Sequence, residues 1–330
     1  QSRRNLAYGL KTGLRSLIQD PPNPKNTSRG KYMNIKDFEY FQAMIEERNF
    51  SRVAAKFKVS QPTISTAIKR LETEFQTQLF VRDASQHKLT TTLSGQQLAK
   101  HTTIVLDQVN IAQSEIRNIN TGKVVFGLPP VISQSYFPQI AAELVKHDLL
   151  SQIVPIEHGS AELLKLLLNG TLDMALVGSI QPFDSARLFS QTFAQTKFHI
   201  VVSKKSPLAA KKGILFRDLK NENFITFGSS FVHSEALNQL SHANHFRPKI
   251  IYESNDPQVI QGMIAKNVGL SFLAESAITN PDVVQLKLLD DPQPEFYMSL
   301  AYRTNHILSP IQKKVVDICL KMENKAAGKN

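Results

Sequence analysis

The sequence predicts a helical N-terminal module that ends in a β-hairpin, then a long connecting helix, and then an α/β domain of two lobes. Three observations lead to this fold class. Apolar residues recur at helical spacing from Met33 to Phe75 and are followed by two short β-rich runs. A narrow apolar seam then extends over 92–120, and from Lys123 short β-rich runs alternate with helical stretches. The 330 residues suffice for about two domains, each with its own core.

Composition limits the possible classes of function. The chain is 42% hydrophobic and 20% charged, which excludes a wholly disordered protein. No apolar run approaches the ~18 residues that a membrane helix needs. Cys319 is the sole cysteine, which excludes an internal disulfide and a cysteine-based zinc site. Because the first 32 residues also contain no signal-peptide-like apolar stretch, we expect a cytoplasmic protein without a membrane partner.

The basic charge is concentrated at the N-terminus. The chain has 39 Lys and Arg against 28 Asp and Glu, a formal net charge of +11. Residues 1–32 account for +6 of this surplus. We expect this segment to be a disordered basic extension, with Met33 as the natural start. An alternative is a basic arm that adds affinity for nucleic acid, a partner that the charge permits but does not require.

Three short helices are predicted between Met33 and Phe75. The first carries an apolar stripe that ends near Arg48, and Ser51 is a suitable N-cap for the second. Ser60 is predicted to cap the third helix, with Pro62 in the first turn. One face of this third helix is apolar at helical spacing, and the other carries hydrogen-bonding and basic groups. The apolar residues are Ile64, Ile68, Leu71 and Phe75, and the polar residues are Gln61, Thr63, Ser65, Thr66, Lys69 and Arg70.

The second and third helices are joined by a tight turn, as in a helix-turn-helix. The polar and basic face of the third helix would fit the major groove of DNA. The two β-rich runs, 79–82 and 88–90, predict a hairpin that carries Arg82 and Lys88 toward backbone phosphates. On this evidence alone, an ordinary three-helix core with a solvated face is an equal alternative.

Three stretches of this module resemble a known family. They are the pair Ala54-Ala55, the run SQPTISTAIKRLETEF and the run LFVRDASQHKLTTTLSG. Together they resemble the winged helix-turn-helix of the LysR-type transcriptional regulators, which implies a DNA-binding domain over 33–91. Two residues depart from the family pattern: Thr66 stands where an arginine is common, and Gln76 replaces the usual glycine before the hairpin. The candidate DNA-binding residues are Gln61, Pro62, Thr63, Ser65, Thr66, Lys69, Arg82 and Lys88.

A long helix is predicted over 92–120, capped by Thr92 or Ser94. Its apolar positions form a heptad-like seam that favours helix–helix dimerisation. The alternative is an amphipathic helix that lies on its own domain. In the LysR-type family this helix pairs two subunits, so the resemblance implies a homodimer or homotetramer and half-sites about 34 Å apart or a multiple of that distance. The candidate dimerisation residues are Leu98, Val105, Val109, Ala112 and Ile116.

The remaining residues, 121–330, predict a two-lobed α/β domain with a mostly parallel sheet. Lobe I is assigned to about 123–186 and 284–330, and lobe II to about 187–283. Predicted strands cover 124–127, 153–156, 174–177, 198–202, 224–227, 249–253 and 270–273, and predicted helices cover 133–145, 160–168, 233–240, 256–266 and 309–322. Asn169-Gly170 and Asn267-Val268-Gly269 supply left-handed stops after two of the helices.

Ligands of such folds bind beyond the carboxyl ends of the strands, where helix N-termini point. Hydroxyls and backbone N–H groups there suit a small carboxylate, although any one of these residues could be only a helix cap. The resemblance implies a two-lobed effector domain like a periplasmic binding protein. Candidate effector-binding residues are Pro130, Ile132, Ser133, Ser160, Ser179, Ser229, Ser230, Phe231 and Asn255.

Catalysis has no support in the sequence. There is no glycine-rich phosphate loop, the pair His242 and His245 has no evident third metal ligand, and Asp290-Asp291 is typical of a surface turn. We therefore expect neither a cofactor nor a metal. The predicted function is a ligand-responsive bacterial transcriptional regulator, with double-stranded DNA and a small-molecule effector as partners and RNA polymerase as a further candidate. The alternative is a small-molecule binding protein whose N-terminal module no longer reads DNA.

Overall fold

The computed structural model describes residues 32–82 and 89–321, and of Arg82 only the backbone. The predicted extension, apart from Tyr32, and the last nine residues lie outside these ranges. The chain divides into two compact units, one ending at Leu106 and the other starting at Asp107.

The first unit contains three helices, a hairpin and the first part of the long helix. The elements are α1 (Ile35–Glu47), α2 (Phe50–Phe57), α3 (Gln61–Glu74), β1 (Phe80–Arg82), β2 (Leu89–Thr91) and α4 (Leu93–Thr121), the last continuing into the second unit. The strands β1 and β2 pair antiparallel, which confirms the predicted hairpin. Its tip, 83–88, lies outside the described residues.

The helix caps differ in part from the prediction. Asn49, and not Ser51, caps α2, because its side chain accepts a hydrogen bond from the backbone N–H of Arg52 at 3.0 Å. Ser60 occupies the N-cap position of α3 without a side-chain bond to the backbone. At the start of α4 the hydroxyl of Thr92 accepts the N–H of Gly95 at 3.0 Å, which fits the predicted cap.

The core of the first unit is built from one face of each helix. Phe41, Met44, Val53, Ile64 and Leu71 are fully buried there. Since α3 contributes its apolar face to this core, its polar face is held toward solvent.

The second unit is the predicted α/β domain. Its elements are β3 (Val124–Gly127), α5 (Pro130–Lys146), β4 (Ile153–Ile156), α6 (Ser160–Leu168), β5 (Met174–Ser179), β6 (Leu188–Ser203), β7 (Gly213–Ile214), β8 (Asn223–Thr226), α7 (Val232–Ala243), β9 (Lys249–Glu253), α8 (Pro257–Ala265), β10 (Ser271–Ala274), β11 (Val283–Leu288), β12 (Glu295–Arg303) and α9 (Pro310–Leu320). The predicted helices are confirmed apart from their end residues, and so are the left-handed stops at Gly170 (φ 78°) and Asn267 (φ 60°).

The prediction of a mostly parallel sheet was wrong. The main sheet has the order β4-β3-β5-β12-β6-β11-β7, with β10 also paired to β6, and β8 and β9 form a separate pair. Strand β12 is antiparallel to β5 and β6, and β6 is antiparallel to β10 and β11. Antiparallel neighbours need no helical crossover, so the alternation of strands and helices did not reveal β11 or β12.

Strand β6 joins the two lobes. It has 16 residues, of which only 198–202 were predicted as a strand. Its first part pairs with β12 up to Lys197, and its last part pairs with β10 and β11 from Phe198 onward. The lobes are therefore connected by continuous strand rather than by a loop.

Candidate nucleic-acid interface and effector cleft

The outward face of α3 is exposed along its length. Ile64, Ala67, Ile68 and Leu71 are buried on the opposite face. The exposed positions are Gln61, Pro62, Thr63, Ser65, Thr66 and Lys69. They present hydroxyl, amide and ammonium groups on one side of a helix, and such groups can hydrogen-bond to base edges and phosphates.

Arg70, which the helical pattern placed on the polar face, is used inside the first unit. Its Nε lies 3.0 Å and its Nη2 lies 2.5 Å from the carboxylate oxygens of the fully buried Asp37. The side-chain hydrogen bond with Asp37 raises the pKa of Arg70. Asp37 also forms a reciprocal cap with Asn34 at the start of α1. Arg70 therefore fixes α3 on α1.

The turn after α3 retains its shape although a glutamine replaces glycine. Gln76 adopts a left-handed conformation, with φ of 49°. The N–H of Thr77 donates to the carbonyl of Glu72 at 3.1 Å, and the N–H of Gln76 donates to the carbonyl of Thr73 at 3.3 Å, which is a Schellman motif. The side chain of Glu72 accepts a hydrogen bond from the N–H of Leu79 at 2.9 Å and so connects α3 to the hairpin.

The two predicted phosphate contacts of the hairpin are not described. Lys88 and the side chain of Arg82 lie outside the described residues. Gly95 packs closely against the base of the hairpin, since an added Cβ would lie only 2.4 Å from the carbonyl oxygen of Leu79. This close approach requires glycine at the start of α4.

Most of the predicted seam on α4 is solvent-accessible. Val105 is 40% and Ile116 is 59% exposed; Ala112 is exposed and Val109 is half-buried. Leu98 instead packs against the core of the first unit, so it is used within its own subunit.

At the rim of the predicted cleft, α6 meets the segment that leads into α7. The N–H of Ala161 donates to the carbonyl of Ser230 at 3.2 Å. A Cβ on Gly159 would lie 2.4 Å from that same oxygen. The hydroxyl of Ser160 is buried and accepts the N–H of Gly178 at 2.8 Å. The structure therefore brings the segments that carry Ser160 and Ser230 together.

The other predicted cleft residues are differently placed. The side chains of Ile132 and Phe231 are buried in the hydrophobic core, and the ring of Phe231 stacks on Phe227 at 4.8 Å. Only their backbone groups are available to a ligand. Ser179 donates to the carbonyl of Gln181 at 2.5 Å. The remaining members, Pro130, Ser133, Ser229 and Asn255, are half-buried or exposed.

A buried polar cluster holds the end of α4 against the rest of the second unit. Glu115 of α4 accepts hydrogen bonds from Nη2 of Arg303 at 2.8 Å, and its carboxylate lies 2.8 Å from Nδ1 of His306. Arg303 also donates to the carbonyls of Leu167 and Leu172 at 2.6 and 2.7 Å. Burial raises the pKa of Glu115, but the hydrogen bonds from Arg303 and His306 outweigh it and leave the pKa below 4.5. Sequence reasoning missed this cluster because its members are far apart in the chain.

Cys319 and Asp290, which the sequence offered as possible catalytic groups, have structural surroundings. Burial raises the pKa of the Cys319 thiol to about 12. Asp290 accepts the backbone N–H of Phe216 at 2.7 Å and so fixes a turn. Within residues 32–82 and 89–321 no three His, Cys, Asp or Glu side chains gather as metal ligands. In the same part of the chain no helix has both the length and the apolar character needed to cross a membrane.

Two family models match the chain. One, described as the LysR substrate binding domain, matches residues 117–323, and the other, described as a bacterial regulatory helix-turn-helix protein of the lysR family, matches residues 35–96. The chain belongs to the LysR family of transcriptional regulators. This LysR-type protein is thus a ligand-responsive DNA-binding regulator and not an enzyme.

Curated relatives agree with this assignment, and solved structures share the fold. The malolactic fermentation system transcriptional activator of Lactococcus lactis is 34% identical over 291 residues, covering 87% of this LysR-type chain and 98% of the relative. The regulator AlsR of Bacillus subtilis is 27% identical over 295 residues, with 87% and 95% covered. The crystal structure of HinK from Pseudomonas aeruginosa, a LysR family regulator, has a TM-score of 0.52 at 20% identity and covers 89% of this chain and 99% of HinK. The effector-binding domain of QuiR in complex with shikimate has a TM-score of 0.54 at 19% identity, with 62% and 97% covered.

Proposed function

We propose that this LysR-type regulator binds an interrupted-palindromic operator as a dimer or tetramer, and that a small carboxylate in the cleft between its lobes changes operator occupancy. The observation that carries the proposal is the contact of α6 with Ser230 at the entrance of α7. This contact places the N-terminus of α6 beside the segment that leads into α7. The first N–H groups of a helix have no acceptor within the helix; the N–H of Ala161 already donates to the carbonyl of Ser230, so the neighbouring groups are the ones offered to a ligand. Such N–H groups and the helix dipole favour a carboxylate.

The proposed domains are a DNA-binding domain over 33–91, a linker helix over 92–120 and an effector domain over 121–330. The hairpin that ends at Thr91 and the start of α4 at Leu93 support the first boundary. Lobe I comprises about 123–186 and 284–330, and lobe II about 187–283. The pairing of β6 first with β12 and then with β10 and β11 supports two lobes, but ones that meet within β6 near Phe198 rather than at 187, with β11 on the side of lobe II.

The names of two similar proteins mention carboxylate chemistry. One similar protein activates a malolactic fermentation system, and the effector domain of QuiR is in complex with shikimate, which is itself a carboxylate. At the sequence identities found, the solved structures support only the fold of the cleft, so the choice of ligand rests on the helix N-termini.

The exposed apolar residues of α4 support self-association through the linker helix. In addition to the predicted Val105 and Ile116, the side chains of Ile104 and Ile119 are 60% and 50% exposed. Burying four such side chains would stabilise a pair of helices by about 1.5–3 kcal/mol for each fully covered residue. Replacing Ile116 by Glu should lower the dimer fraction in sedimentation experiments, whereas Leu98→Ala should instead lower the stability of the first unit.

The proposal is tested by selecting binding sites from a random duplex library with the full chain. An interrupted palindrome with helical-turn spacing is the expected result. A double substitution, Ser65→Ala with Thr66→Ala, should relax the sequence preference at the bases it reads, where a good contact discriminates by about 1–3 kcal/mol. Ser151→Ala removes an exposed hydroxyl from the second unit and serves as the matched control.

Arg82→Ala distinguishes phosphate contacts from base contacts. It should weaken binding to all duplexes alike and reduce the slope of log K against log salt by about 0.9. A change in preferred sequence would contradict the assigned role. If a folded dimer enriched no sequence at all, the protein would instead be a small-molecule binding protein whose N-terminal module no longer reads DNA.

A further inference from the structure

The basic charge of the second unit is concentrated in one segment, 204–220. This segment has six Lys and Arg and one Asp, whereas the other residues of 107–321 have 14 Lys and Arg against 18 Asp and Glu. All six basic side chains are exposed: Lys204, Lys205, Lys211, Lys212, Arg217 and Lys220. Without this segment the unit would be net acidic, so its positive surface is local.

Buried apolar residues hold the segment against the core of the second unit. The side chains of Ile214, Phe216 and Leu219 are 2% exposed or less, and Leu208 packs against the same core. The ring of Phe216 also stacks on Phe246, with the ring centres 4.9 Å apart. The basic residues between these anchors are therefore held at fixed places on the surface.

The segment follows one edge of the main sheet. At its start the N–H of Lys204 donates to the carbonyl of Asp282 at 3.1 Å, and further on Gly213 of the last strand, β7, pairs with Lys287 of β11. Asp282 and Lys287 are five residues apart in extended chain, which is about 16 Å. Lys287 is exposed as well. We call Lys287 and the six basic residues of 204–220 the basic edge.

The charges of the basic edge are not neutralised within the described part of the chain. None of the ion pairs in residues 32–82 and 89–321 includes one of its members. Two acidic residues, Asp218 and Asp282, lie within or next to the segment, and both are exposed. Seven basic residues outnumber them, and like charges held together repel one another. An anionic partner relieves that repulsion.

The composition of this surface favours phosphates over a protein partner. The centre of a protein–protein interface is apolar and poor in lysine. No large apolar side chain within 204–220 is exposed, and Leu289, 58% exposed beside Gly213, is too little for such a centre. Protein–DNA interfaces are instead polar and strongly positive. Each strand of B-DNA has a phosphate every 3.4 Å or so, and an edge of about 16 Å therefore matches about five phosphates.

We propose that the basic edge is a second DNA-binding surface of this regulator, one that binds the phosphate backbone of duplex DNA. It lies outside both α3 and the cleft between the lobes. Lysine contacts with phosphates add affinity that does not depend on base sequence. The effector domain then contributes to DNA binding directly, and the contribution is sensitive to salt.

The test is the salt dependence of DNA binding by the full chain, measured by fluorescence anisotropy on a long duplex of mixed sequence. The test variant replaces Lys204, Lys205, Lys211 and Lys212 by Gln. Each lost phosphate contact should lower the slope of log K against log salt by about 0.9, so we expect a decrease of about 1.8–3.6 for two to four contacts. At low salt the dissociation constant should rise by about tenfold or more.

Two further variants serve as controls. One loses the same charge elsewhere in the second unit, because four exposed lysines are replaced by Gln; its slope should change by less than about 0.9, the value for one contact. The four positions are Lys197, Lys249, Lys313 and Lys321. The other control replaces the four lysines of the test variant by Arg, which keeps the charge and should keep both the slope and the affinity. Thermal melts of all three variants should agree with the unmodified chain within about 2 °C, since all the changes are at the surface.

The comparison between the two Gln variants decides the proposal. A larger loss of slope in the test variant than in its charge-matched control supports it. Equal losses would show an effect of net charge alone and would overturn it. An unchanged slope in the test variant would also overturn it, and would leave an acidic protein surface as the partner that the basic edge fits.

Discussion

Replacing Arg303 by leucine should destabilise the effector domain and release the end of the linker helix. The side chain of Arg303 is 9% exposed, and it bonds to Glu115 on α4, to Leu167 at the end of α6 and to Leu172 beyond it. Leucine fills part of the space but donates no hydrogen bond. The two carbonyls then lose this donor, and the carboxylate of Glu115 loses Arg303 while it retains His306.

The size of the effect follows from burial. Removing one partner of a buried ion pair typically costs about 3–5 kcal/mol, because the remaining charge has no compensation. The side chain of Glu115 is 24% exposed and retains His306, which places the expected loss toward the lower end of that range. In a domain of this size 1 kcal/mol corresponds to about 2–4 °C in Tm. We therefore expect the Tm of the second unit to fall by about 6–12 °C.

Differential scanning calorimetry of the full chain measures this shift. The transition of the second unit is assigned by comparison with Asp37→Asn, which removes the charge that Arg70 binds in the first unit. Arg217→Leu, at an exposed arginine, is the matched control and should shift neither transition by more than about 2 °C. A shift of less than 2 °C for Arg303→Leu would refute the reasoning, and would mean that other contacts hold the end of α4 without the ion pair, among them the hydrogen bonds from Asn118 to the carboxylate of Asp173 at 3.1 Å.

Three further results are expected. The pKa of Glu115 in the folded state lies below 4.5, so the ionised carboxylate stabilises the fold fully above pH 4.5, and this stabilisation is lost as the pH falls through the folded pKa. Glu115→Gln should therefore flatten the plot of Tm against pH below pH 4.5. Above pH 7 the plot should stay parallel to that of the unmodified chain. Burial keeps His233 neutral in the folded state down to about pH 3, whereas in the unfolded chain it takes up a proton near pH 6.5. The ligand-free protein should therefore lose stability as the pH falls below 6.5. His233→Phe should remove this dependence of Tm on pH in thermal melts. Gln76→Gly should raise the Tm of the first unit, since a non-glycine residue at φ of 49° costs about 1 kcal/mol; a fall in Tm would show that the side chain of Gln76 contributes more than its backbone strain costs.

The local pattern sufficed to predict the helix-turn-helix, because each step of its fold depends on residues close in sequence. The periodic apolar positions of α3 fixed which face is outward, and Pro62 fixed where the helix begins. The pattern could not show that Arg70 turns inward to Asp37, which is distant in sequence. The available sequence signal was the Asn-x-x-Asp cap at the start of α1, which holds Asp37 in the first turn. An aspartate buried there needs a cation beside it.

The effector domain was harder to predict because its sheet is assembled from distant strands. The alternation of strands and helices identified β3, β4 and β5, which are parallel and separated by helices. It did not identify β12, whose antiparallel partners need no crossover, nor the full length of β6. The burial of His233 was not predicted either, because a histidine in the first turn of a helix carries no mark of burial in the sequence.

The Glu115 cluster lies at the other end of the helix that begins on the rim of the proposed cleft. Helix α6 begins at Ser160, on the rim, and its nine residues span about 13 Å to its other end. There the carbonyl of Leu167 accepts a hydrogen bond from Arg303, which in turn holds Glu115 on α4. Helix α6 is short and packs on β5, so we expect it to shift as one unit, since bending it would break its own hydrogen bonds. A ligand that shifts α6 at the rim should therefore also shift Arg303 and Glu115, and Arg303→Leu should reduce the effect of ligand on DNA affinity even where ligand affinity for the cleft is retained.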